Sequence, residues 1–296
     1  MRVLIVGCGY VGLELGAELG RQGHEVCGLR RSHDRTPELE AAGIKPLTAD
    51  ITRRETLARV PEGWDWVVEC VSAGGGGAGA YRRVYLQGTR NLVEWLTESP
   101  TKKLVYTSST SVYAQNDGSV VAEDHPAEPE TESGKILLAT EQVLLEAARA
   151  GRVPAVVLRV AGIYGPGRGY WLHRYLARGA ESEEEPQRIV NMIHRDDVAG
   201  AVIAALQHGQ PGEIYNAVDD EPVSQVALLQ WFSNVCRRPE PLPGLDHPKA
   251  ERKRGVTSKR VSNYKLKSDL GYHFKYPSFR EGYAAELRKA SGGQVG

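Results

Sequence analysis

As far as Gly165 the chain alternates short apolar runs with amphipathic stretches. Six runs read as strands: Val3–Val6, Glu25–Leu29, Ile44–Leu47, Trp66–Cys70, Lys103–Thr107 and Ala155–Val160. They are continuous and rich in Val, Leu and Ile rather than alternating, the pattern of strands buried on both faces. The stretches Val11–Gln22, Arg53–Arg59, Tyr81–Thr97 and Lys135–Ala150 carry apolar residues at helical spacing. Strand and helix in strict alternation predict an α/β fold, a Rossmann-type doubly wound parallel sheet with helices on both faces.

Beyond Gly165 the rhythm loosens. A helix is expected over Asp196–Gln207 with Asp196 as N-cap, then a strand Ile214–Val218 and a helix Ser224–Cys236 with a polar cap. Ala73–Gly79, A-G-G-G-G-A-G, reads as a flexible loop after a strand, and Ser182–Pro186 as a solvated acidic loop tip. The division that follows is a dinucleotide-type domain over 1–168 and a smaller C-terminal α/β domain for substrate over 169–296, partly interlaced with the first. A cleft between two such units is a usual place for a ligand.

Composition narrows the function classes. In 296 residues Lys+Arg and Asp+Glu both total 37, so no basic field argues for nucleic acid or an anionic membrane. The first apolar run is too short for a signal sequence or a span. Cys8, Cys27, Cys70 and Cys236 lack paired spacing, which argues for a reducing, cytoplasmic setting and against a zinc site. No HExxH or Cys/His cluster suggests any other metal. The expected partner is a small-molecule substrate, and the expected state a monomer or homodimer.

The chemistry begins at V-L-I-V-G-C-G-Y-V-G. Gly7, Gly9 and Gly12 follow the first strand and open a helix. The first permits a tight turn, the second lets backbone approach a pyrophosphate, and the third lets the helix pack on the strand. Tyr10 and Val11 stand beside the same anion. About 20 residues on, such folds place an acid on the ribose 2′-hydroxyl. Here the second strand ends in Arg30, Arg31 and Ser32. With no carboxylate to repel a 2′-phosphate and two guanidiniums to pair with it, NADP is favoured, with NAD the alternative. Those arginines could instead stack on adenine or face solvent. Asp50 and Ile51 would flank the adenine, and Ser72 would touch the cofactor after the fourth strand.

Four further stretches, L-V-Y-T-S-S-T-S-V-Y at 104–113, L-R-V-A-G-I-Y-G-P-G-R at 158–168, N-M-I-H-R-D-D-V-A at 191–199 and I-Y-N-A at 214–217, resemble the extended short-chain dehydrogenase/reductase superfamily, its NAD(P)-dependent epimerase/dehydratase group, and an atypical subgroup within it. The resemblance implies a catalytic Ser/Thr, Tyr and Lys. The first corresponds to Ser109 and the last to Lys135, which would hold the nicotinamide ribose. The tyrosine position, four before that lysine in T-E-S-G-K, is Thr131. An aliphatic alcohol is a far poorer acid and base than a phenol near pKa ~10. Thr131 or Ser133 reads equally as a helix N-cap, and Glu132 is a weak substitute base. The Asn common in the helix after the fourth strand corresponds to Tyr85, and the glycine loop is one residue shorter than usual. Tyr113, Tyr164 and His173 fall where substrate would lie. His194 reads as a loop stabiliser and Arg168 as a further anion contact. Basic residues of the tail, Arg252, Lys253, Arg254, Lys259 and Arg260, would face solvent or a sugar-nucleotide diphosphate. Two functions therefore compete: an NAD(P)-dependent oxidoreductase or epimerase/dehydratase acting on a small hydroxyl or carbonyl compound such as a sugar, and a non-catalytic NADP-binding redox sensor.

Overall fold

Seven strands make one sheet: β1 (Arg2–Val6), β2 (Glu25–Arg30), β3 (Lys45–Thr48), β4 (Trp66–Glu69), β5 (Lys103–Ser109), β6 (Ala155–Val160) and β7 (Ile214–Ala217). Their order is β7-β6-β5-β4-β1-β2-β3 and every pairing is parallel. The strand order reverses between β1 and β4, so their C-terminal ends diverge into a crevice there. The computed structural model describes residues 1–178, 187–236 and 257–292.

Burial on both faces explains the unbroken apolar runs. Val3, Ile5, Val68, Val105 and Leu158 pack with Leu15 and Leu19 of helix Tyr10–Arg21 and Val198 and Val202 of helix Arg195–His208. On the other face Leu4, Val6, Val67, Leu104 and Tyr106 meet Leu92 and Leu96 of helix Gly88–Glu98 and Ile136 and Leu144 of helix Glu132–Arg149. A third apolar cluster joins Trp171, Tyr175, Phe232, Phe279 and Tyr283 in the C-terminal part. That part also supplies β7 to the main sheet.

Local features depart from expectation at three points. The glycine run is not a loop throughout: Gly76 takes φ +89° and a helix starts at Gly77, passing through a wide π-helical segment, Arg82–Gln87, into Gly88–Glu98. A short helix, Thr36–Ala41, with Pro37 in its first turn, escaped the pattern. The helix expected to be capped by Asp196 is capped instead by His194, whose Nδ1 accepts from the Asp196 amide at 3.2 Å. The neutral imidazole therefore carries its proton on Nε2. The acidic tip Ser182–Pro186 and the basic residues Arg252, Lys253 and Arg254 lie outside the described residues.

Candidate functional site

The loop between β1 and its helix has the geometry its glycines imply. Gly7 takes φ +83°, and a Cβ on it would lie 2.6 Å from the Cα of Val71. Only glycine fits there. A Cβ on Gly12 would meet Ile5, Cys70 and Cys8 at 3.0–3.4 Å, so helix and sheet are in close contact. Gly9 faces the other way; its Cβ would find nothing nearer than the Gly7 carbonyl at 3.7 Å. The helix Tyr10–Arg21 has no side-chain cap and no acid in its first turn. Its leading N–H groups and positive dipole end thus suit a bound anion.

These features border a cavity of about 470 Å³ that extends from Arg31 and Arg35, past Gly9, Tyr10 and Val11, to Ser72 and Ser109. Ile51 lines it as expected. Asp50 does not; its carboxylate accepts from the amide and hydroxyl of Thr52, at 3.0 and 2.8 Å, and shapes the turn that holds Ile51 in place. Arg30 is turned back beneath the glycine loop, where Nε donates to the Cys8 carbonyl at 2.5 Å and Nη1 lies 3.4 Å from Glu38. Its Nη2 is buried without a partner among the described residues, while Arg31, Ser32 and Arg35 line the cavity beside it. Arg35 is itself paired with Glu38, Nε to Oε1 at 2.6 Å, so one carboxylate stands among these groups; the orphaned Arg30 nitrogen, Arg31 and Ser32 still offer donors that suit a phosphate. The residues present therefore fit a dinucleotide.

Tyr10 stands at the glycine end with Arg168 and Arg195 against its ring, their guanidinium carbons 5.2 and 5.3 Å from the centroid. Burial pushes its phenol up to about 12, against the opposing pull of those arginines. Arg168 also lines the cavity, next to the proposed anion site.

The reacting end is less orthodox. Ser109 ends β5, lines the cavity, and accepts from the Ser111 amide at 3.2 Å. Thr131 is the N-cap of helix Glu132–Arg149; its Oγ1 accepts from Gly134 N at 3.2 Å and lies 3.3 Å from the Ser133 hydroxyl. Lys135 points outward: its side chain is 56% exposed and its Nζ lies 3.1 Å from Glu132. Neither Thr131 nor Lys135 lines the cavity, so the expected Ser–Thr–Lys constellation is not assembled. The three residues expected against substrate also lie elsewhere. Tyr113 is fully buried and donates to Asn216 Oδ1 at 3.0 Å, with Arg159 stacked over its ring. Tyr164 is buried, stacks on Tyr283 and donates to the Ser278 carbonyl at 3.3 Å. His173 is exposed on helix Tyr170–Arg178. Lys259 is not a solvated tail residue: it is buried and donates to the Tyr113 carbonyl at 2.9 Å, and desolvation draws its pKa down to about 8. Arg260 donates to the Gly118 carbonyl.

Other residues that the sequence did not place at the cavity include Arg35, Cys70, Thr107 and Tyr85. Only the Asn-to-Tyr change at position 85 marked one of them. Beneath this end lies a buried polar layer. Ser108 donates to Glu141 at 2.5 Å, and Arg159 grips the same carboxylate through Nε and Nη2, the shortest contact 2.7 Å. Next to it Glu69 accepts from Thr89 at 2.7 Å through one oxygen, while the other is buried without a partner among the described residues. Burial drives the Glu69 carboxyl up to about 8, the Thr89 hydroxyl offsetting part of the shift.

Known proteins bear out this architecture. The family described as NAD dependent epimerase/dehydratase matches residues 3–217. The Escherichia coli (strain K12) protein YeeZ is 27% identical over 286 residues, covering 93% of this chain and 96% of its own. A 3-diazoavenalumate denitrifying reductase from a Streptomyces species is also 27% identical, over 97% of this chain and all of its own. A solved structure from Methylobacillus flagellatus, assigned to the NAD-dependent epimerases/dehydratases, superimposes with a TM-score of 0.77 at 33% identity, covering 98% of both chains.

Proposed function

The chain belongs to the NAD dependent epimerase/dehydratase family, and we propose that within it this protein is an NADPH-dependent reductase of a carbonyl group in a small molecule. The observation that carries the reading is the continuity of one cavity from the arginine cluster to Ser109. Gly9 and the helix start would hold the cofactor's diphosphate; Arg31, Ser32, Arg35 and the orphaned Arg30 nitrogen would hold a 2′-phosphate. A dinucleotide held there would supply the hydride for the carbonyl carbon. Ser109, fixed by the Ser111 amide on one lone pair, keeps its hydroxyl proton to donate toward the substrate oxygen. That a full-length relative is named a reductase supports reduction over epimerisation. Cys8, Cys27 and Cys70 are free thiols, in keeping with a reducing cytoplasmic setting.

The test is NADPH oxidation across a panel of ketones, β-keto acids and keto sugars. Turnover of any class supports the reading, and the class names the substrate. The second reading, a redox sensor that binds NADP without turning over, is favoured by the commitment of Thr131 to a helix cap and of Lys135 to Glu132. Tight NADPH binding with no oxidation across the whole panel would select it.

A further inference from the structure

A carbonyl that receives hydride must also receive a proton, and neither Thr131 nor Lys135 is in place to deliver it. Ser109 can orient an oxygen, but an aliphatic alcohol is a poor proton donor at neutral pH. A phenol is the better group. Of the phenols considered above, Tyr113 and Tyr164 do not line the cavity, whereas Tyr10 and Tyr85 do. Tyr10 lies at the diphosphate end, with its hydroxyl near Gly165 and His194: a Cβ on that glycine would lie 3.1 Å from both the Tyr10 hydroxyl and His194 Nε2. Tyr85 remains. It lines the cavity together with Ser72, Thr107 and Ser109.

We propose that Tyr85 is the proton donor of this enzyme, replacing the phenol absent at position 131. This deepens the reductase reading and rests on it. The backbone around Tyr85 is unusual in the way such a role needs. Arg82–Gln87 is wound as a π-helix between two α-helical stretches, and such wide turns redirect side chains and recur at functional sites. Downstream of it the helix is seated firmly: a Cβ on Gly88 would lie 2.9 Å from Ile51, and Asn91 donates to the Ile51 carbonyl at 2.9 Å. Upstream, the Tyr81 and Tyr85 rings lie 5.0 Å apart. Helix Glu132–Arg149, whose first turn holds Thr131 and Lys135, packs on the π-helical segment. The phenol therefore comes from the facing helix of the same pair. Tyr85 is 8% exposed, dry enough to strengthen its hydrogen bond to a substrate oxygen. Behind it, Tyr106 is buried and neutral among Glu69, Glu141 and Tyr85.

The step balances simply. As the carbonyl carbon gains hydride, its π pair moves to oxygen. That oxygen takes the Tyr85 hydroxyl proton, and the phenolate takes a proton back from solvent. Carbonyl, NADPH and one proton become alcohol and NADP⁺.

The experiment compares wild type with Tyr85→Phe, which keeps the ring. The first readout needs no substrate: phenolate absorbance against pH, with and without saturating NADP⁺. A positive nicotinamide beside a phenol favours its ionised form. Wild type should gain one tyrosine ionising about one pH unit or more below the rest when NADP⁺ is bound. Tyr85→Phe should lack it while binding NADP⁺ within twofold of wild type. With a turned-over substrate, kcat of the variant should fall roughly 10²–10⁴-fold. NADP⁺ binding with no such ionisation, or with one that persists in Tyr85→Phe, would overturn the inference and leave the reductase reading standing. Failure of NADP⁺ and NADPH to bind at all would overturn that reading, and this inference with it.

Discussion

The two ends of the cavity are built from different materials. The glycine end is mostly backbone: a turn at Gly7, an open face at Gly9 and the bare start of a helix. The reacting end is made of side chains whose directions depend on distant partners. Thr131 is consumed by Gly134, Lys135 by Glu132, Tyr113 by Asn216 and Tyr164 by Ser278. The difference teaches that cofactor binding and proton delivery are separable within one fold. Spacing and backbone conformation secure the first, so it survives substitution of its neighbours. The second rests on single side chains, and Thr131, at the position expected for the tyrosine, is committed to Gly134.

The sharpest way to break the comparison is at the glycine end. Gly7→Ala forces a Cβ into the backbone of Val71 at positive φ. We expect it to lower unfolding free energy by roughly 4 kcal/mol, measured by denaturant titration, and to abolish dinucleotide binding. A stable variant that still binds would show that the loop is not held as described.

The next effect belongs to the floor of the reacting end. Glu69 has its carboxyl raised from the ordinary 4.5 to about 8 by burial, so the folded state holds a proton that the unfolded state releases. This stabilisation is fully present below the unfolded value and lost as pH rises through about 8. Wild-type stability should thus decline between roughly pH 5 and 9, by on the order of 3 kcal/mol from this group. Glu69→Gln should flatten that decline and be the more stable protein at the alkaline end. An unchanged slope in denaturant titrations at several pH values would show that Glu69 stays ionised.

Smaller effects separate the phosphate contacts from their neighbours. Arg31→Ala with Arg35→Ala should weaken NADPH by roughly 10–100-fold, the scale of charged hydrogen bonds, and leave NADH within about twofold. Equal losses for both nucleotides would mean the arginines do not read a 2′-phosphate. Smallest of all should be Lys135→Ala. Its exposed pairing with Glu132 is worth no more than about 0.5 kcal/mol, and NADPH affinity should stay within about twofold. A tenfold loss would return Lys135 to the cofactor.

What the sequence made legible follows the same division. Unbroken apolar runs such as Val3–Val6 and Ala155–Val160 required burial on two faces and so implied the parallel sheet. The glycine spacing implied the turn at Gly7 because no other residue satisfies it. Ser109 was legible as a strand-end residue in a recognisable motif. The orientation of Lys135 was not, because an acid three residues earlier competes for it on the helix surface. The burial of Tyr113 and Lys259 depends on Asn216 and on a carbonyl 146 residues away in sequence, which no local pattern encodes. The same holds for His194, whose capping role looked from the pattern like that of Asp196. The π-helical turn at Arg82–Gln87 also leaves no mark in apolar spacing.

The central claim is that the cavity holds NADPH. Calorimetric titration of the intact protein with NADPH and, separately, NADH tests it most directly. The account predicts one site per chain, with NADPH at least about tenfold the tighter ligand. Binding of neither nucleotide, or NADH equal to or tighter than NADPH, would contradict it.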